Sequence, residues 1–285
     1  MNKIPYIAEI NKLSSHGTEQ GIIPRFVLQM LKLEEEASFP TNAPKKSYKY
    51  INVASSDFTS FYDLHEEIIN KRKEYLRKLY SKEIIEIQES GAISIDRTVE
   101  TSLLQNVKDF FIKGRIMLNN WAKSEVIKDE YFDLKKLLIV KDSNFENQYQ
   151  KHLSIDDYAR YDHLFNLIRV GRNQFLNKFN EIRAKIEHED LQLKYSRIEL
   201  KDDKIKVNEP FLENNPMYEL IDFFYENILS LIEKVMVYYY GINAFINWNG
   251  NKNLFKRDKI DFENEMYEYV ILSNKERANM KKLIS

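Results

Sequence analysis

Glycine and proline are scarce in this chain, seven and six among 285 residues. These two residues supply left-handed backbone and preset turns, so the chain has few cheap places to reverse direction. Leu, Ile, Lys, Glu and Asn occupy much of the remainder. That usage favours long helices joined by few loops over a sandwich, a barrel or a multi-crossover α/β fold. The length suffices for a sizeable core in one elongated helical domain or two smaller ones. The expected fold is therefore all-α, a bundle of long antiparallel helices with one small β-hairpin inserted.

Apolar periodicity places the helices. A short amphipathic stretch at Ile4–Leu13 and a helix at Ile22–Glu36 precede a two-proline loop at Phe39–Pro44. A long helix is expected over 58–88, with Phe61, Leu64, Ile68, Tyr75, Leu79, Ile84 and Ile87 inward and Gly91 stopping it. A second spans 97–123. A third opens at Ser154 with Asp157 three residues on, a capping-box-like start, and runs to about Asp190 with a bend at Gly171. Alternation through Ile198, Leu200, Ile205 and Val207 around Asp202-Asp203 predicts a hairpin over 196–207. Asn215-Pro216 should cap and open the last long helix, ending near Phe245. Asn249-Gly250-Asn251 reads as a turn, followed by short helices within 261–284. The implied organisation is a helical extension at 1–57, a helical core at 58–248 and short helices at 249–285.

Charge excludes a global nucleic-acid field, since 43 basic residues face 44 acidic ones. Any nucleic-acid contact must use a local patch. The absence of cysteine excludes disulfide and thiolate chemistry and fits a reducing compartment. No secretory signal is visible in residues 1–12, and a cytoplasmic location is expected. The most apolar stretch, Ile228–Trp248, contains Glu233, Lys234 and the run Tyr238–Tyr240, so it reads as a core helix rather than a membrane span.

The chemistry-bearing feature is Arg183-Ala184-Lys185-Ile186-Glu187-His188. A histidine can carry a proton near neutral pH, and a fixed guanidinium can hold a phosphate. Phe175, Phe179, Ile182 and Ile186 form an apolar stripe with Arg183 beside it. On a regular helix His188 lies about 140° round the axis from Arg183, so convergence needs a helix end or a second copy of the chain. Ordinary i,i+4 ion pairs, Arg183 with Glu187 and Glu181 with Lys185, explain the same residues without function. Basic residues outnumber acidic ones between Arg160 and Lys185, as a phosphate-binding strip would require, although such strips also pair with neighbouring acidic faces.

This arginine and histidine, with four residues between them late in a long helix, resemble the motif of the HEPN superfamily. The text Phe179–Asp190 looks most like its larger bacterial members. The resemblance implies an all-α core and a homodimer with facing motif helices. It also implies metal-independent endoribonuclease activity, often as a toxin or phage-defence effector with an antitoxin partner. Carried over by residue, Arg183 and His188 would be catalytic, with Arg172, Asn180 and Lys185 as supporting RNA-binding groups. The position after the arginine is often Asn, Asp or His in active members, and Ala184 stands there. That departure favours the alternative, a non-catalytic helical module binding RNA or a partner protein. A plain helical structural protein is the third possibility.

Other chemistries lack their residues. No Glu-x-x-His, His-Glu-x-x-His, P-loop, Gly-x-Ser-x-Gly or paired-cysteine pattern occurs. Glu83, Glu86 and Glu89 read as a solvated face, and His188-Glu189-Asp190 point in different helical directions. His16, His65, His152 and His163 have no partner pattern and read as surface or capping residues. No metal and no other cofactor is expected.

Overall fold

A computed structural model describes residues 29–30, 32–33, 46–89, 93–123, 145, 147, 158–188, 191–201, 204–247, 251–256 and 269–273. The expected elements at 4–13 and 39–44, Gly91, the Ser154–Asp157 cap and the Asn249-Gly250 turn lie outside them.

The fold is mainly helical. Helix α1 spans Lys46–Tyr80 and leads into a small antiparallel pair, β1 (Ile85–Ile87) and β2 (Ile93–Ile95). Helix α2 follows at Thr98–Lys123. The third helical run comprises α3 (Tyr158–Gly171), a π turn at Arg172–Leu176, and α4 (Asn177–Glu187). The expected hairpin is present as β3 (Arg197–Lys201) and β4 (Lys204–Asn208), with Ile198 opposite Val207. A short pair, β5 (Phe211–Leu212) with β6 (Asn215–Pro216), precedes α5 (Met217–Asn247). Strands β7 (Lys252–Lys256) and β8 (Tyr269–Ser273) complete the described chain.

Four expectations need correction. The first long helix ends at Tyr80 and not at 88, because Lys82 adopts φ 59° and breaks the helical path; Ile85 and Ile87 then pair with Ile95 and Ile93. Asn215-Pro216 belongs to a strand pair, with Asn215 donating to the Glu213 carbonyl at 2.7 Å, so α5 opens at Met217. Where short C-terminal helices were expected, Tyr269–Ser273 is a strand whose Tyr269, Val270 and Ile271 are all buried. Among the described residues the fold is thus helical with four small antiparallel pairs, rather than helical with one hairpin. Where a bend was foreseen at Gly171, a π turn starts one residue later.

Aromatic rings fill the core. Phe61 of α1 stacks on Phe110 of α2 at 4.7 Å, and Phe111, Phe179 and Phe224 meet from α2, α4 and α5. Gly114 lets α4 approach α2, since a Cβ there would lie 2.8 Å from both the Phe179 and Phe61 rings. The first and last described segments also meet: buried Gln29 exchanges two 2.7 Å hydrogen bonds with the Tyr269 backbone, as a strand would. Among the described residues, no helix is long and apolar enough to cross a membrane.

Candidate functional site on the α2–α4 face

Helix α4 packs its apolar stripe, Phe179, Ile182 and Ile186, into the core and turns Asn180 and Arg183 toward α2. Arg115 of α2 donates from Nη1 to Asn180 Oδ1 at 3.0 Å. Its pKa is lowered by burial first and then by the nearby positive charge of Arg183, against an opposing effect from Glu187. Arg183 is itself bound to Glu187, Nη2 to Oε2 at 2.5 Å, one helical turn away. The Arg183 Nε is enclosed and has no hydrogen-bond acceptor. The charges of Arg115 and Arg183 therefore act on each other, while Glu187 offsets part of that effect through its pair with Arg183.

His188 is the C-cap of α4. Its backbone N–H bonds to the carbonyl oxygens of Ala184 and Ile186, and its side chain is exposed. Because the helix stays regular to that point, five residues separate Arg183 and His188 by about 7.5 Å along the axis and about 140° around it. Within one chain the two are not brought together on one small group.

The supporting residues divide. Asn180 joins Arg115 beside Arg183. Lys185 forms an ion pair with Glu213 instead of lining that cluster. Arg172 is buried, 3% exposed, with its guanidinium 5.1 Å from the Phe145 ring centre. The reason is the π turn: it inserts one residue into the helical count, rotating Arg172 by roughly 100° relative to Arg183. The basic strip expected over 160–185 is accordingly not one continuous face.

Sequence reading missed Arg115, Lys108 and Tyr195. Arg115 and Lys108 are seven apart on α2, two turns on one face, and that spacing was the available signal. Along this face, beyond Lys108, a pocket of about 410 Å³ opens between α2 and the segment 191–195 that follows α4. Its walls include Thr101, Gln105, Ile186, Gln192 and Tyr195.

A buried polar network holds that segment. Glu100, fully buried, accepts from the Ser196 backbone N–H at 2.5 Å, from the Tyr75 hydroxyl at 2.7 Å and from Arg97. Arg97 also donates to the Ser196 carbonyl at 3.1 Å and lies 5.2 Å from the Tyr195 ring centre. Burial, followed by Glu100, pushes the Tyr75 phenol well above its usual range.

Elsewhere, His65 is not the surface residue expected: it is buried, stacks on Tyr225 at 4.0 Å and meets Asp222 at 2.8 Å. No group of three or more His, Asp or Glu converges on a metal-sized space among the described residues. No family model, curated protein or solved structure matches this chain.

Proposed function

We propose that this chain is a HEPN-like helical endoribonuclease, in which the α2–α4 face holds RNA and Arg183 and His188 cleave it without a metal ion. The carrying observation is the Arg115–Arg183 cluster: two cations near enough to act on each other, one partly desolvated by burial, with Glu187 paired to Arg183. Such a cluster attracts a phosphate, which satisfies both forks through charge-assisted hydrogen bonds. The Arg183–Glu187 pair is partly exposed and costs little to exchange, since i,i+4 pairs are worth about 0.3–0.5 kcal/mol.

In this reading His188 takes a proton from the ribose 2′-hydroxyl as that oxygen attacks the adjacent phosphorus. His188 then returns that proton to the leaving 5′-oxygen, and the products are a 2′,3′-cyclic phosphate and a 5′-hydroxyl. Arg183 stabilises charge growing on the phosphate oxygens. Because one helix separates the two groups, His188 of one chain would act with Arg183 of a second across a two-fold axis. RNA and a second copy are thus the proposed partners, with an antitoxin protein as a further one.

The test is cleavage of single-stranded RNA in excess EDTA. His188→Ala should slow it by about a hundredfold or more, and the fragments should end in cyclic phosphate. Equal cleavage by wild type and His188→Ala would sink the catalytic reading. Ala184 beside Arg183, and the Glu187 carboxylate already on Arg183, favour a second reading in which the same face binds RNA without cutting it. Tight RNA binding with no cleavage would select that one.

A further inference from the structure

Resting on the RNA reading, we infer that the pocket beside the end of α4 is a nucleobase subsite, in which Tyr195 stacks a base and Lys108 meets its phosphate. The cavity, about 410 Å³, falls in the range of small-molecule sites. Ile186 forms part of its wall, two residues before His188 and three after Arg183, so a base seated there adjoins the proposed phosphate site.

Tyr195 is 47% exposed yet fixed: its hydroxyl is 3.1 Å from Thr101 Oγ1, and its ring lies 5.2 Å from the Arg97 guanidinium. The backbone next to it is pinned by Glu100 through the Ser196 N–H. An exposed aromatic ring held this way is preorganised for stacking, and stacking suits any base because each has a π-face. Ile186, 7% exposed, supplies an apolar wall. Gln105 and Gln192 at the rim offer amide donors and acceptors to base edges; Gln105 already spends one N–H on Asp109 at 3.1 Å and keeps its carbonyl oxygen. Lys108 also lines the pocket and completes the set with a cation.

A nucleobase with its phosphate can come from an RNA strand or a free nucleotide, and the experiment separates them. Fluorescently labelled single-stranded RNA 12-mers would be titrated in EDTA against His188→Ala protein, alone and combined with Tyr195→Ala, Tyr195→Phe or Lys108→Gln. Adenosine and uridine monophosphates would be titrated calorimetrically in parallel. Tyr195→Ala should weaken RNA binding by about 5- to 100-fold while Tyr195→Phe keeps most of it, since the ring and not the hydroxyl stacks. Lys108→Gln should weaken all sequences alike and lower the salt dependence by about one phosphate contact. If RNA binds and Tyr195→Ala binds it as well as the parent, the subsite is wrong while the RNA reading stands. If RNA fails to bind but a mononucleotide binds and Tyr195→Ala abolishes it, the subsite stands and the RNA reading falls. Binding of neither removes both.

Discussion

Arg115 and Asn180 share a 3.0 Å hydrogen bond that ties α2 to α4 one turn before Arg183. The bond orients one guanidinium by a neutral partner and leaves its positive charge uncancelled. Arg115→Ala should therefore weaken single-stranded RNA binding and reduce the slope of log affinity against log salt by about one. Asn180→Ala should leave that slope nearly unchanged, because the charge remains. Salt titrations of both variants distinguish a phosphate contact at Arg115 from a purely structural bond.

The approach of α2 to α4 depends on Gly114. A methyl group there meets the Phe179 and Phe61 ring tips at 2.8 Å, and both rings are fully buried with aromatic neighbours on several sides. Ala gains up to about 1 kcal/mol in helix propensity over Gly, while overpacking a filled core costs about 1–3 kcal/mol. The second effect should win. Gly114→Ala is expected to melt several degrees below wild type by calorimetry, and an equal or higher melting temperature would show that the rings yield.

Alkaline pH should destabilise the protein through Tyr75. Burial and the Glu100 carboxylate raise its folded-state pKa above the unfolded value of about 10. The unfolded chain therefore loses this proton first as pH rises. The stabilisation is fully present below about pH 10 and is lost above it as pH climbs toward the folded-state value. Tyr75→Phe cannot ionise, so its melting temperature should fall less between pH 8.5 and 11, although it starts lower for want of the 2.7 Å bond to Glu100. Tyr218 and Tyr225, raised mainly by burial, keep part of the slope in that variant.

How far the sequence reached follows from which signals are local. The helix over Thr98–Lys123 was legible because Leu103, Val107, Phe110, Phe111 and Met117 recur at helical spacing and all are buried. The end of α1 was not, because Ile84 and Ile87 satisfy a helical offset while Ile85 and Ile87 satisfy a strand one, and the deciding event is the left-handed Lys82. Tyr269–Ser273 failed for a related reason: a short run as apolar as Val270–Leu272 fits a buried strand or a buried helix equally. At the candidate site, Asn180 was placed on the flank of Arg183, and it bonds Arg115 there. Arg172 was misassigned because a π turn changes the angular count and leaves no mark in composition. Arg115 comes from another helix, more than sixty residues earlier in the chain, and only tertiary packing brings it to Arg183.

Glu187 gives the sharpest test of what Arg183 does. If Arg183 holds RNA phosphate, Glu187 competes with the ligand for it at 2.5 Å and repels the ligand's charge. Glu187→Gln removes both effects and should strengthen RNA binding severalfold at low salt, with the gain shrinking as salt screens it. Arg183→Ala should weaken binding, and Arg183→Lys should restore only part, because an ammonium cannot make the bidentate contact of a guanidinium. The Glu187→Gln gain should also vanish in the Arg183→Ala background, since the two side chains act on one another. If the pair is instead an ordinary helical ion pair, Glu187→Gln should lower the melting temperature slightly and leave RNA binding where it was. Anisotropy titrations of wild type and the four variants at two salt concentrations decide between these outcomes.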